Sequence, residues 1–503
     1  MIDILIKNAT VIDGTGKLPF RANVGILNGK ITSVGNDLPN AEKVIDATGL
    51  TLSPGWIDSH SHYDSAILTQ PDQEKNVEQG ITFSITGQCG ISSIFKTCSA
   101  DQIKQVLADA ALIPQGASEA ILVGHSTIRR MVMGTENRAP TESELEQMKL
   151  LVSSAMDAGA IGMSLGLVYV PGCYAAADEI IALAKVAGAR GGVLAAHIRN
   201  EGDTVVEAVT EFLHIVKESG CRGIISHHKA MDPQNWGKIS DTLALIDRAN
   251  ADGAEVYFDV YPYCASATSL ISRFLPKHLH PEGAVNQLAL LDDLQICAAA
   301  KKWGIERWGA DLSWTLVSSC PGCEEYEGMT IPEIAARKGQ TDQYETAFDL
   351  IRESKGRAHG CFFLAGEEDL QLALSHHNCM IGTDAYIPRK GATYHPRLRG
   401  SFPRVIARYV RDLGVVPLPE MIRKMTSLPA NVYGLDGKGK IVIGADADIC
   451  IFDADRICDH ADYTNCSLPN EGLHYVIIDG KIVLEQGAYN GTRAGKLLLR
   501  TNG

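Results

Sequence analysis

From residue 51 to about residue 430, short apolar runs alternate with longer stretches whose apolar positions return every three to four residues. Continuous apolar runs of four or five residues mark strands buried on both faces, and the longer stretches mark the helices that cover them. The strands predicted in this way are 82–85, 120–123, 161–165, 192–196, 223–226, 256–260 and 380–382, and the chain entering Asp58 adds an eighth. Helical stretches such as 142–155, 176–187 and 204–217 separate them. Eight strands alternating with helices predict an α/β fold of the (β/α)8, TIM-barrel type. Residues of about 275–355 interrupt the rhythm, with Trp303, Trp308 and Trp314 close together and a polar loop through Pro321-Gly322, and read as an insertion after the seventh strand.

The two ends of the chain are patterned differently. Ile4-Leu5-Ile6, residues 9–12 and residues 24–27 are short β-type runs, the last leading into Asn28-Gly29, a two-residue hairpin signal. Residues 440–452 and 475–483 repeat the pattern near the other end. A small β-sandwich assembled from residues 1–50 and 431–503 is therefore expected to flank a barrel at 51–430.

Composition leaves this picture intact and removes function classes. Lys and Arg number 46 against 60 Asp and Glu, a formal charge of −14, which argues against nucleic acid as a partner because phosphate binding needs a basic surface. No stretch approaches the roughly 18 apolar residues of a membrane helix, and Asp3 and Lys7 interrupt the first apolar run, so no membrane association and a cytoplasmic location are expected. The thirteen cysteines are odd in number and widely spaced from Cys89 to Cys466, as in a protein with reduced thiols. Nothing in the pattern fixes an oligomeric state.

The chemistry lies where the predicted strands end. In Asp58-Ser59-His60-Ser61-His62, residues two apart in extended chain point to one side, so His60 and His62 can converge on one ion. Thr86-Gly87-Gln88-Cys89-Gly90 follows the next strand and sets a thiol between glycines. His197 ends the fifth strand, His227-His228-Lys229 follows the sixth, and Asp384 follows the eighth. Singly, each has a bland alternative: a loop pair, a satisfied core histidine, a helix cap. Together, imidazole, thiol and carboxylate at five strand ends predict a metal site, because barrels of this type carry their active sites on that face. His228 should face away from its neighbour His227, and His125 reads equally as a packed core histidine. Cys320 and Cys323 read as loop cysteines, and Tyr63 and Asp64 as residues that orient ligands.

Several passages carry a resemblance. They are Ser53-Pro54-Gly55-Trp56-Ile57-Asp58-Ser59-His60-Ser61-His62, Thr86-Gly87-Gln88-Cys89-Gly90-Ile91-Ser92, Leu122-Val123-Gly124-His125, Gly166-Leu167-Val168-Tyr169-Val170-Pro171-Gly172, Ser226-His227-His228-Lys229, Asp259-Val260-Tyr261-Pro262-Tyr263, and His395-Pro396-Arg397-Leu398-Arg399-Gly400-Ser401-Phe402-Pro403-Arg404. With them the chain resembles the amidohydrolase superfamily and, within it, the D-aminoacylases (N-acyl-D-amino-acid deacylases), over essentially its full length. The His-x-His pair marks only the superfamily, whereas the Gly-x-Cys-Gly and His-Pro-Arg passages are more specific. Many binuclear members bridge two metals with a carboxylated lysine on the fourth strand. Here that strand runs Gly162-Met163-Ser164-Leu165-Gly166, which leaves Cys89 as the natural replacement.

The resemblance implies zinc held tightly by Cys89, His197 and His227, with His60, His62 and Asp384 able to hold a weaker second metal. It implies hydrolysis of the amide of a small N-acyl-D-amino acid, with Asp384 moving the proton of the attacking water to the leaving amine. It also assigns the grip on the substrate carboxylate to Lys229, Tyr261 and Arg397. Ala267 stands where the family pattern has Ser before Thr268. A cyclic amide hydrolase of the hydantoinase or dihydroorotase type, or another amidase for carboxylate-bearing substrates, is the alternative. A non-catalytic scaffold on the same fold is a third, opposed by the retention of all six ligands. Side-chain and acyl-group preferences are not encoded legibly.

Overall fold

A computed structural model describes residues 1–36, 38–281, 286–386 and 394–500, so part of the predicted insertion and the last three residues lie outside it. Eight parallel strands form the barrel: β1 (Trp56–Asp58), β2 (Ile81–Thr86), β3 (Ser118–Gly124), β4 (Gly162–Gly166), β5 (Val193–His197), β6 (Arg222–Ile225), β7 (Val256–Val260) and β8 (Cys379–Ile381). They neighbour one another in chain order. The Ser59 N–H donates to the Ile381 carbonyl at 3.1 Å, which ties the end of β1 to β8.

Every residue of β2, β3, β4 and β5 is buried, so these strands read as apolar without alternation. Successive residues still divide between two faces. Phe83, Ile85, Ala120 and Leu122 belong to the core inside the barrel, while Ile121, Val123, Met163 and Leu165 pack in the layer beneath the helices. Helix Glu142–Asp157 shows how that layer is made. Thr141 and Glu144 form a reciprocal cap at its start, and Met148, Leu151, Val152, Ala155 and Met156 give it one buried face.

Between β7 and β8 the chain leaves the barrel and builds a three-stranded antiparallel sheet, in which His359–Phe362 lies between Ser266–Ser269 and Thr315–Ser319. Phe274, Val317, Tyr344, Phe348 and Phe362 give this excursion a core of its own. It begins earlier than the expected residue 275, because Ser266–Ser269 is polar and half-buried and offers no apolar run to read.

The small sheet domain built from both termini is a mixed sheet of nine strands. Its seam is the antiparallel pairing of Thr51–Pro54 with Ile449–Phe452, in register Leu52 to Ile451. Ile4, Ile6, Val24 and Ile26 from one end share a core with Ile449, Ile451 and Ile477 from the other. The C-terminal tail then passes under the barrel, where Gly495 and Leu498 N–H groups bond to the Gln115 and Glu119 carbonyls, both at 2.7 Å. No helix among the described residues is long and apolar enough to cross a membrane.

Candidate active site

The ends of β1, β2, β5, β6 and β8 bring His60, His62, Cys89, His197, His227 and Asp384 to one place at the mouth of the barrel. Cys89 Sγ is 3.5 Å from His60 Nε2, 3.4 Å from His227 Nε2 and 3.8 Å from His197 Nδ1. Asp384 Oδ1 is 3.5 Å from His60 Nε2 and 3.1 Å from His62 Nε2. A tetrahedral zinc with ordinary bond lengths separates a thiolate sulfur from an imidazole nitrogen by about 3.6 Å. The donor set and its spacing therefore fit zinc, with thiolate and imidazole as its favoured ligands.

The backbone accepts strain to aim these groups. Cys89, His227 and Asp384 lie in the left-handed region, with φ of 51°, 36° and 48°, a conformation that costs about 1–3 kcal/mol each for a residue with a side chain. Gly87 makes the turn before Cys89 possible: at φ 75°, any Cβ there would lie 2.2 Å from the Leu122 carbonyl oxygen. Ser164 lies on β4. Its hydroxyl accepts from the Gly90 N–H at 3.0 Å and donates to the Gly87 carbonyl at 2.5 Å, bracing the loop on both sides of the thiol.

Carboxylates surround the imidazoles. Asp259 lies 3.3 Å from His60 Nδ1 and accepts the His227 N–H at 2.8 Å. Glu201 Oε1 lies 2.9 Å from His227 Nδ1 and its Oε2 3.6 Å from His197 Nε2. Asp58 accepts the Thr383 N–H and hydroxyl at 2.8 and 2.6 Å and the His60 N–H at 3.1 Å, joining the ends of β1 and β8. Burial alone would raise the Cys89 thiol, but the imidazoles of His60 and His227 outweigh it and hold it well below the ordinary range. Burial likewise opposes ionisation of Asp384, yet Arg397, His227 and His62 keep its carboxyl well below the usual value. His62 is pushed up to about 9, against its burial, by its bonds to Asp384 and Cys89.

In front of the cluster lies a cavity of about 680 Å³. Its inner wall is the cluster itself, and its outer wall, with Thr268, Arg273, Trp303 and Trp308, comes from the excursion after β7. Lys229, Tyr261 and Arg397 line it together. Arg397 donates to Asp384 Oδ2 at 2.7 Å and its guanidinium stacks 4.9 Å from the Tyr261 ring centre. Tyr261 has a buried hydroxyl without a hydrogen-bond partner among the described residues. Lys229 is already engaged, donating to Glu201 Oε1 at 2.6 Å and to the His227 carbonyl at 2.8 Å.

The other sequence candidates separate cleanly. His228 turns away from the cluster to Thr242 Oγ1, 2.8 Å distant, and His125 is a buried partner of Glu179 at 2.9 Å. Asp64 lines the cavity and accepts the Ser93 N–H, while Tyr63 is buried beside it. Cys320 and Cys323 are buried free thiols in the excursion's core. Sequence reasoning missed Glu201, Asp259, Ser164 and Tyr169, whose hydroxyl is 3.3 Å from Thr268 Oγ1 and whose ring lies against His197 at 5.0 Å. A signal existed for Asp259, an acidic residue inside the apolar run 256–260.

Comparison with known proteins agrees with this geometry. The sequence profile of the amidohydrolase family matches residues 43–484. An N-acyl-D-glutamate deacylase of Alcaligenes xylosoxydans xylosoxydans is 37% identical over 99% of this chain and 97% of its own. A D-aminoacylase of the same organism is 33% identical over 99% and 98%. The crystal structure of an N-acyl-D-glutamate deacylase from Bordetella bronchiseptica, complexed with zinc and a phosphonate mimic of the tetrahedral intermediate, matches with a TM-score of 0.86, 32% identity and 99% coverage of both chains. A strand-end cluster of thiol, imidazoles and carboxylate, on a chain matched end to end by these proteins, belongs to the amidohydrolase family, in the group of the D-aminoacylases.

Proposed function

We propose that this enzyme is a zinc-dependent deacylase that hydrolyses the amide bond of N-acyl-D-amino acids, releasing a carboxylate and the free D-amino acid. The observation that carries this is one buried thiol within 3.8 Å of three imidazoles, beside a carboxylate paired with a buried arginine. Cys89, His197 and His227 would hold the tightly bound zinc, and His60, His62 and Asp384 a weaker second metal. When bound, zinc supplies Lewis acidity, activating water and polarising the scissile carbonyl.

The chain's own groups do the rest. Asp384, kept ionised by Arg397 and His62, takes a proton from the attacking water and delivers it to the amine nitrogen as the C–N bond breaks. The substrate carboxylate is held at the wall formed by Arg397, Tyr261 and Lys229. Among the described residues the Tyr261 hydroxyl and the Arg397 Nε–H have no hydrogen-bond partner. Lys229 is shared with Glu201, which offsets its charge, and adds to the polarity of the wall. The names of the relatives, deacylases of N-acyl-D-amino acids, and the zinc in the Bordetella complex support the same reading.

The test is a panel of N-acetyl D- and L-amino acids, with hydantoin and dihydrouracil as cyclic amides, assayed with added zinc. Amine release from D substrates alone is expected. Equal or preferential turnover of L substrates sinks the stereochemical assignment, and turnover of the cyclic amides alone reassigns the enzyme to them. Cys89→Ala is expected to lose bound zinc and activity together.

A further inference from the structure

We propose that Glu201 is a positioning residue of the metal centre, setting which nitrogen of His227 is free to bind zinc. This rests on the reading that Cys89, His197 and His227 hold that zinc. Each of the two rings turns one nitrogen to the Cys89 sulfur and the other to Glu201. His227 offers Nε2 to the sulfur and Nδ1 to the carboxylate, whereas His197 does the reverse. A neutral imidazole coordinates only through its unprotonated nitrogen, so an acceptor behind the ring dictates which one that is. Glu201 thus selects the Nδ1–H tautomer of His227, 2.9 Å away, whereas its Oε2, 3.6 Å from His197 Nε2, acts on that ring through charge rather than a hydrogen bond.

Lys229 makes this choice necessary. Its Nζ lies 3.0 Å from the same His227 Nδ1 and can only donate. Were Lys229 the sole neighbour, Nδ1 would become an acceptor, the proton would move to Nε2, and the face turned to Cys89 would have no lone pair. Glu201 prevents this by accepting from both, with Oε1 at 2.6 Å from Lys229 Nζ and 2.9 Å from His227 Nδ1. Its own position is fixed from the other side. The Glu201 carbonyl accepts the Met231 N–H at 2.6 Å, so the loop after β5 is locked to the loop after β6 that carries His227 and Lys229.

The experiment measures zinc dissociation constants by chelator competition for the native enzyme, Glu201→Ala, Glu201→Gln and the double variant Glu201→Ala/Lys229→Met, with thermal unfolding of each zinc-free protein alongside. Loss of an acceptor behind a metal-binding histidine weakens metal affinity about 10- to 100-fold, and that is the expectation for Glu201→Ala. Glu201→Gln, whose amide oxygen still accepts, should lie closer to native, and removing Lys229 should restore part of the lost affinity. The cobalt-loaded Glu201→Ala protein should also show an altered visible spectrum. Native affinity in Glu201→Ala overturns the proposal, as does equal weakness of all three variants, which assigns Glu201 to folding. A native protein that binds no zinc instead defeats the deacylase reading, so the two failures are distinguishable.

Discussion

Ser164→Ala tests whether the fourth strand supports the thiol. The hydroxyl is buried and makes two bonds, from the Gly90 N–H and to the Gly87 carbonyl, one on each side of Cys89. Alanine keeps the backbone but leaves a buried amide and a buried carbonyl unpaired, and each such group costs about 1–3 kcal/mol. The space vacated by one oxygen is too small to admit water as a substitute. Taking the lower end for each group, the ordered loop is destabilised by about 2 kcal/mol, which is about 30-fold in the ratio of ordered to open loop. That loss acts on the left-handed backbone at Cys89, which is already under strain. Two assays read it. Reaction of the metal-free protein with a thiol reagent should accelerate at Cys89 by up to about 30-fold, in proportion to the opened population, and zinc affinity should fall in proportion to the loss of ordered loop, by at most that factor. Native rates of Cys89 modification together with native zinc affinity in Ser164→Ala would refute the bracing role.

Two further outcomes follow from the site and its surroundings. Asp384→Asn should lower kcat by about two to four orders of magnitude, the usual contribution of a positioned acid or base, while zinc on Cys89, His197 and His227 stays bound; undiminished turnover removes Asp384 from the chemistry. Burial pushes His228 down to about 3, so between pH 3 and its unfolded value near 6.5 the unfolded chain binds more protons, and stability is lost as pH falls through that window. From pH 8 to pH 5 that loss is about 2 kcal/mol. Urea unfolding at the two pH values should show a smaller difference for His228→Asn than for the native protein, and identical differences would contradict this assignment.

The barrel was legible because burial on both faces writes itself as unbroken apolar runs, of which 120–123 and 193–196 are examples. The convergence of His60, His62, Cys89, His197, His227 and Asp384 was legible because each stands at the end of a predicted strand on one face of the barrel. The excursion's first strand was not, since Ser266–Ser269 pairs through its backbone with His359–Phe362 and needs no apolar side chains to do so. Glu201 escaped notice because a carboxylate in a loop resembles a solvated one. Its partners His227 and Lys229 lie on the next strand's loop, a proximity that only the closed barrel creates. The resemblance assigns Lys229 and Arg397 to the substrate carboxylate. In the folded chain each already neutralises a carboxylate of the site, so the wall they form is polar without carrying a large net charge.

The seam between Thr51–Pro54 and Ile449–Phe452 has a consequence for how this protein is made. Almost the whole barrel lies between those two strands in the chain, so the edge beside the first barrel strand emerges from the ribosome long before its partner exists. Pairings of such long range form slowly, and an unpaired edge invites association with other nascent chains. The tail that bonds to Gln115 and Glu119 under the barrel arrives later still. Truncations of those last strands, far from the cluster at the barrel mouth, should therefore aggregate even though Cys89, His197 and His227 are intact.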